Sequence, residues 1–475
     1  MKVLLVNPPH DAGTLERELG NYMPPLNLLY LASALRAAGH EPALLDLYAS
    51  PLPAARVLEM AAAREPGLIG LAVYSPHAEE AFALGAALKR ALPRAALALG
   101  GVHPSWLPEV CLGREGVDFV VRGEGERTLP ALASALERGE ALDAVAGLAF
   151  RREGKTVNTA PRPLVEDLDE LPPPAYDLLD FRAYRLAPTR AVTAGPVSSV
   201  LTSRGCQYAC SFCSHHYGYK SRVRMRAPEK VVDELARVVE RYGVREFRIE
   251  DCSFTDDPSR VRRFCALLRA RCPGVVWNCD VRADTASEEL FADMRAAGCR
   301  RVFLGVESGS QAVLDSLGMN KDITLSQARR TVALARRHGM RINCSFVLGT
   351  PAETRETAEE TYRFALELDP DYAMFSPLVP SVGSRLFEEA VAAGRIDPAA
   401  YQGANYLILR ARGGAPVALS KLSGAELLEL SDRFHRGFYG RPRYLLRRLL
   451  GIRSAREALR LARGAGLVLG RTRGR

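Results

Sequence analysis

Twice along this chain, short β-rich runs alternate with helical patterns, and that double alternation restricts the fold more than any other feature. The first series reads strands at Lys2–Val6, Pro42–Leu47, Leu68–Val73, Ala95–Leu99 and Phe119–Arg122. Helical patterns such as Leu26–Ala38 and Ala78–Leu92 lie between them, and Gly39 is placed to end the first. Such spacing predicts a parallel sheet with helices on both faces. The second series reads strands at Val197–Thr202, Glu246–Glu250, Val275–Val281, Arg301–Val306, Arg341–Leu348 and Tyr372–Leu378. Helical patterns such as Pro228–Tyr242, Ser287–Ala297 and Ser326–His338 follow them. Six βα units predict an open, partial (β/α)6 barrel of the TIM type.

Between the two series, Gly147–Thr159 reads as a hairpin turning at Glu153-Gly154. An acidic, proline-rich run follows, Glu166-Asp167-Leu168-Asp169-Glu170-Leu171-Pro172-Pro173-Pro174. This run predicts a linker over a surface. The expected organisation is an α/β domain over 1–140, a hairpin and linker over 141–195, a barrel over 196–394 and a helical, basic region over 395–475.

Ligands of both architectures sit at the carboxyl ends of the strands. In the first series those ends carry Asn7, Ser75, Gly100, Gly101 and His103. In the second they carry Glu250-Asp251, the run Gly305-Val306-Glu307-Ser308-Gly309, Gly349-Thr350-Pro351 and Pro377–Pro380. Arg282 and Asp284, after the third barrel strand, read as a pair holding the rim together.

Directly after the first barrel strand comes Gly205-Cys206-Gln207-Tyr208-Ala209-Cys210-Ser211-Phe212-Cys213. Three cysteines fall within eight positions. Zinc could take Cys206, Cys210 and Cys213 with His215 or His216, but structural zinc sites commonly use a second, distant cysteine pair, and the sequence offers none. A [4Fe-4S] cluster held by three thiolates leaves one iron open, so the missing fourth ligand becomes a functional feature. Cys252, Cys265, Cys272, Cys279, Cys299 and Cys344 are scattered and read as small buried hydrophobes. Ten cysteines with no signal-peptide pattern at the start imply a reducing cytoplasm. No run of eighteen apolar residues suggests a membrane span.

The cysteine stretch resembles the motif of the radical S-adenosylmethionine (SAM) superfamily, including the aromatic residue before the third cysteine. The order of α/β domain, linker and barrel resembles the cobalamin-binding class of that superfamily, as do the phrases Gly100-Gly101-Val102-His103-Pro104 and Val121-Arg122-Gly123-Glu124-Gly125-Glu126. The resemblance implies a Rossmann-like (flavodoxin-like) cobalamin domain, with Asn7, Ser75, Gly100, Gly101 and His103 near the corrin. It implies a [4Fe-4S] cluster on Cys206, Cys210 and Cys213. SAM would chelate the open iron and lie near Phe212, Glu250, Asp251, Glu307, Ser308 and Gly349. The Asp-x-His-x-x-Gly motif that supplies a lower cobalt ligand in many cobalamin domains is absent, and His10 and Asp11 stand in the wrong order.

The activity so implied is methyl transfer to an unactivated carbon of a small molecule, with reduced flavodoxin or ferredoxin as electron donor. An anaerobic oxidative cyclase of magnesium-porphyrin type is the alternative, and a non-catalytic cobalamin or metal-binding regulator is the rival from another class. No nucleic-acid module is evident. Residues 433–475 hold thirteen Arg and one Glu, a net +12, against +9 for the whole chain, so residues 1–432 sum to −3. Leu427–Phe434 and Tyr444–Leu461 read as basic amphipathic helices. For the second, the preferred expectation is leucines packed on the barrel and arginines in water. The other expectation is peripheral contact with an anionic (inner) membrane surface.

Overall fold

The computed structural model describes residues 1–9, 21–187, 189–193, 195–214, 222–318, 323–401 and 414–450. The first domain is one sheet of seven strands: β1 (Lys2–Asn7), β2 (Glu41–Asp46), β3 (Leu68–Ala72), β4 (Ala96–Gly100), β5 (Phe119–Val121), β6 (Leu148–Arg152) and β7 (Lys155–Asn158). Their spatial order is β2-β1-β3-β4-β5-β6-β7. β1 to β5 run parallel, whereas β6 and β7 join antiparallel. The order 2-1-3-4-5 is the flavodoxin-like winding, whose ligands lie outside the strand ends at the β1/β3 switch point. Strands such as Leu68–Ala72 are buried on both sides, which is why they read as continuous apolar runs.

The hairpin expected in the connecting segment is part of this sheet. β5 is only three residues long and would leave an open edge, and β6 covers it. The first domain therefore extends to about residue 158.

The second domain has six parallel strands in chain order: β8 (Val197–Val200), β9 (Glu246–Ile249), β10 (Val276–Val281), β11 (Cys299–Glu307), β12 (Arg341–Leu348) and β13 (Tyr372–Pro377). β8 and β13 form its edges. The alternating burial of β12 turns Ile342, Cys344, Phe346 and Leu348 outward against helices, and Asn343 and Ser345 into the lumen. Helix Gly424–Tyr439 packs Leu430, Phe434 and Phe438 into the main core and covers β13. His215, His216 and the segments 402–413 and 451–475 lie outside the described residues, as do His10 and Asp11.

The linker runs over the surface as expected, with Glu166, Asp167, Glu170 and Pro173 exposed, but it is pinned there by Leu168 and by Pro174, Ala175 and Tyr176, which are buried. Ser33 donates to the carbonyl of Pro173 (2.6 Å), and Arg36 forks onto Asp177 (2.9 and 2.8 Å). Tyr176 donates to Glu234 (2.8 Å) and Tyr184 to Asp46 (2.8 Å). Its last stretch closes the barrel floor. Buried Arg301 donates to the carbonyls of Thr189 (2.6 Å) and Ala191 (3.1 Å), and Glu246 accepts from the backbone of Val192 and Thr193 (2.6 and 2.7 Å).

The two domains are joined through charge. Ser203–Arg204 and Arg224–Met225 form a two-residue antiparallel ribbon that closes the base of the cysteine loop. Arg204 and Arg224 both reach Glu124, which follows β5 of the first domain. Arg224 forks onto it at 2.9 and 2.8 Å, and Arg204 contacts Glu124 at 3.2 Å and Glu126 at 2.6 Å. All four side chains are at most 10% exposed. Burial alone would raise the Glu124 carboxyl, but hydrogen bonds from Arg224 and the Val165 amide, together with Arg204, hold it below the usual range. A second contact places Trp106 against Gly383, where any Cβ would overlap the indole. We predict that Glu124→Ala, which removes the carboxylate partner of buried Arg224 and one of the two of Arg204, destabilises the protein by about 3–5 kcal/mol. Chemical denaturation of wild type and variant measures it; a loss near zero would show that the network is not coupling the domains.

Candidate functional site

The cysteine loop leaves β8 through Thr202 and Ser203, and one buried carboxylate fixes that exit. Asp251 accepts from the amides of Thr202 (2.7 Å) and Ser203 (3.1 Å), from Ser203 Oγ (2.7 Å) and from Thr202 Oγ1. At 2% exposure its lone pairs are engaged by Thr202 and Ser203, so in this structure Asp251 positions the loop. Further along, Ser211 N donates to Leu317 O, Leu386 N to Ser211 O and Ser381 N to Phe212 O (3.2, 2.9 and 3.2 Å). The Phe212 ring packs with Cys210, Leu314 and Leu317. Cys206 and Cys213 are half-buried and Cys210 buried, and none is in a disulfide. The loop is thus held at both ends while its thiols sit at the rim. Among the described residues no three His, Cys, Asp or Glu converge closely enough for a single metal ion.

Arg282 lies flat over the ring of Tyr208, 3.5 Å from its centroid, within the same loop. It is 5% exposed and paired with Asp256 (3.6 Å) and Asp284, yet its Nη1 has no hydrogen-bond partner. A buried guanidinium with an unused donor beside the cysteines is suited to an anionic ligand group. Sequence reasoning assigned the pair a purely structural role, because a ring 74 positions away in the chain cannot be seen from the motif.

At the end of β11 the ladder shifts register between Gly305 and Glu307. Glu307 adopts a left-handed φ of +66°, an uncommon conformation for a side-chain-bearing residue. Its carboxylate folds over Gly305, where a Cβ would lie 2.3 Å from Oε1. The bulge re-aims the carboxylate along the lumen wall. Ser308 is fully buried, shares a hydrogen bond with Thr361 (3.0 Å) and accepts from the Ser310 amide, so it shapes the turn. Gly349 is required by its left-handed φ of +89°, and a Cβ there would also press the Leu427 side chain at 2.6 Å.

Lower in the lumen, Arg248 pairs with Asp280, lies 3.9 Å from Glu250 and covers Phe303 at 4.6 Å. Arg190, from the floor segment, faces the same ring at 6.0 Å. Burial pushes the Glu250 and Asp280 carboxyls up, against the pull of Arg248. Met374 on β13 is 47% exposed, so the lumen is open and lined with polar groups around Phe303.

In the first domain the predicted residues divide. Asn7 is buried and donates to Asp46 (2.8 Å), so it secures the β1 end. His103 is buried too, its Nδ1 against Ser75 Oγ (3.1 Å) and its ring beside Phe82. Burial and nearby Arg114 push it down to about 4, which keeps the imidazole neutral. A Cβ at Gly100 would make only ordinary contact with Val121, at 4.0 Å. Beside it, Tyr74 and Val102, unremarked at sequence level, present apolar surface at 39% and 44% exposure.

With that geometry in view, comparison with known proteins is decisive. Residues 14–133 match the B12 binding domain and residues 200–365 the Radical SAM superfamily. The uncharacterized methyltransferase PH0819 of Pyrococcus horikoshii is 34% identical over 82% of this chain and 83% of its own length. The chain belongs to the B12-binding radical SAM family. An anaerobic magnesium-protoporphyrin IX monomethyl ester cyclase of Rubrivivax gelatinosus is 32% identical over 82% of this chain and 70% of its own. The structure of TsrM from Kitasatospora setae, a radical SAM methyltransferase with cobalamin and a [4Fe-4S] cluster bound, has the same fold. Its TM-score is 0.68 at 22% identity, covering 83% of this chain and 78% of that one.

Glu353 carries the site's clearest pH signature. It is fully buried, accepts from the Gly349 amide, and its other oxygen lacks a hydrogen-bond partner. Burial raises it to about 7, partly offset by that amide. Ionising it in the folded state is unfavourable, so the stability of the neutral form is complete below the ordinary carboxylate range and is lost as pH rises toward 7. Glu353→Gln, which cannot ionise, should therefore gain on wild type across that window, by up to about 3 kcal/mol at pH 8. Thermal melts at pH 4.5 and 8 check it; a gain independent of pH would contradict it.

Proposed function

We propose that this protein is a cobalamin-dependent radical SAM methyltransferase that adds a methyl group to an unactivated carbon of a small molecule. One observation supports the reading: the base of the cysteine loop is ion-paired to the strand-end face of the B12-binding domain, an arrangement suited to two cofactor sites opening toward a common space. When bound, the cluster with SAM supplies a 5′-deoxyadenosyl radical and the corrin supplies the methyl group.

This chain's residues have distinct tasks in that scheme. Cys206, Cys210 and Cys213 would hold three irons through thiolates. Arg282 would receive the SAM carboxylate on its unused Nη1, and Glu307, turned by the bulge, would accept from ribose hydroxyls. Phe212, packed against Cys210, Leu314 and Leu317, would close the cluster's flank against water. Glu250 and Asp280 with Arg248 would grip the polar part of the substrate, while Phe303 and Met374 give it an apolar bed. Gly100, Tyr74 and Val102 would face the corrin. Ser75 acts through His103, which it hydrogen-bonds, and neither His103 nor any Asp-x-His-x-x-Gly motif offers a cobalt ligand. The electron comes from reduced flavodoxin or ferredoxin, in the cytoplasm. The cyclase relative shares both domains, and oxygen-18 water separates the readings: label in the product would favour cyclase chemistry over methyl transfer.

Anaerobically reconstituted protein should hold about four irons per chain and release 5′-deoxyadenosine from SAM. Cys206→Ala, Cys210→Ala and Cys213→Ala should each abolish both. Iron-free protein with stoichiometric zinc would overturn the assignment. The protein should also bind hydroxocobalamin, and electron paramagnetic resonance of the Co(II) form should show no nitrogen splitting. Failure to bind any corrinoid would leave a cobalamin-free radical reaction instead.

A further inference from the structure

The last described helix, Pro442–Leu450, reverses the amphipathic expectation. Tyr444 is its buried residue, 6% exposed, with its hydroxyl donating to Asp371 O at 3.0 Å. The arginines face the barrel: Arg441 and Arg447 pair with Asp369 (2.8 and 2.6 Å), and Arg448 bonds the Tyr444 hydroxyl (3.1 Å) over the Tyr372 ring. The leucines face out. Leu445, Leu446, Leu449 and Leu450 are 45%, 58%, 65% and 78% exposed. Four neighbouring leucines held in water on a helix pinned by ion pairs mark a contact surface.

Charge selects the occupant. Exposed Arg443 shares the helix, and residues 451–475 add seven Arg against one Glu. A second copy would bring the same positive charge into the contact and be repelled. An anionic lipid surface attracts the arginines and takes up the leucines. Asp369 and Asp371 precede β13, so this helix sits at the barrel floor, away from the cysteine-bearing rim. No helix among the described residues is long and apolar enough to cross a membrane, so the contact is peripheral.

We propose that Pro442–Leu450 docks the protein on an anionic bilayer, with Leu446, Leu449 and Leu450 entering between headgroups and the catalytic rim turned away from the lipid. The inference is independent of which radical reaction the rim performs.

Flotation tests it with the full-length, cluster-loaded protein and vesicles of phosphatidylcholine alone or mixed with phosphatidylglycerol. Wild type should float with the mixed vesicles only, and less at high salt. The triple variant Leu446→Asp, Leu449→Asp, Leu450→Asp should lose at least about tenfold in vesicle partitioning while keeping its iron content and melting temperature. Four results would overturn the proposal. Wild type could fail to float. The triple variant could float as well as wild type. Sedimentation could show a dimer that the triple variant dissolves, which would make the leucines a contact between copies. Vesicle binding gained only on removal of 451–475 would equally overturn it, by showing that the chain's own tail covers the patch.

Discussion

The arrangement depends on one buried carboxylate. Glu124 belongs to the B12-binding domain, yet its hydrogen bonds go to two arginines that form the two strands of the ribbon under the cysteine loop. Burying such charges is unfavourable in itself, and it is offset only because each is met by an opposite charge in good geometry. The same condition makes the geometry hard to change. Neither domain can tilt away without leaving at least one guanidinium in a dry interface. A buried ion network is a poor device for stability and a good one for alignment, and alignment is what two cofactors sharing a reaction require.

Further anchors follow from this one. Asp251 fixes the chain between β8 and the ribbon, the Leu317 and Leu386 contacts fix the loop's far side, and Trp106 in the Gly383 notch sets the opposite edge of the domain interface. Below, the linker closes the floor through Arg301 and sends Arg190 toward Phe303. The lumen is therefore closed at one end by the linker and faced at the other by the B12-binding domain. Its wall mixes carboxylates, guanidinium groups and one aromatic ring.

Much of this was legible in the sequence, for identifiable reasons. Parallel strands buried on both faces must be apolar throughout, so the runs at Leu68–Ala72 and Leu4–Val6 declared themselves, and three cysteines at fixed short spacing have few other uses. Partners distant in the chain were not legible. Asp251 looked like a rim acid because strand position says which end a residue occupies, not whether its carboxylate is already engaged by Thr202 and Ser203. The hairpin's membership of the first sheet depended on the shortness of β5, which no local pattern states. The stretch Val121-Arg122-Gly123-Glu124-Gly125-Glu126 stood out only as a phrase of the cobalamin-binding class, whereas its Glu124 is the domain clamp. In the tail, helical periodicity correctly separated leucines from arginines but could not say which face meets the barrel; Asp369 and Asp371 decide it.

The central claim is that the iron–sulfur and cobalamin sites are held facing one another. Electron paramagnetic resonance of protein loaded with both Co(II) cobalamin and reduced cluster measures it directly. The account predicts magnetic coupling, seen as faster relaxation and broadening of the cobalt signal only when the cluster is reduced. A cobalt signal indifferent to the cluster's oxidation state would contradict it.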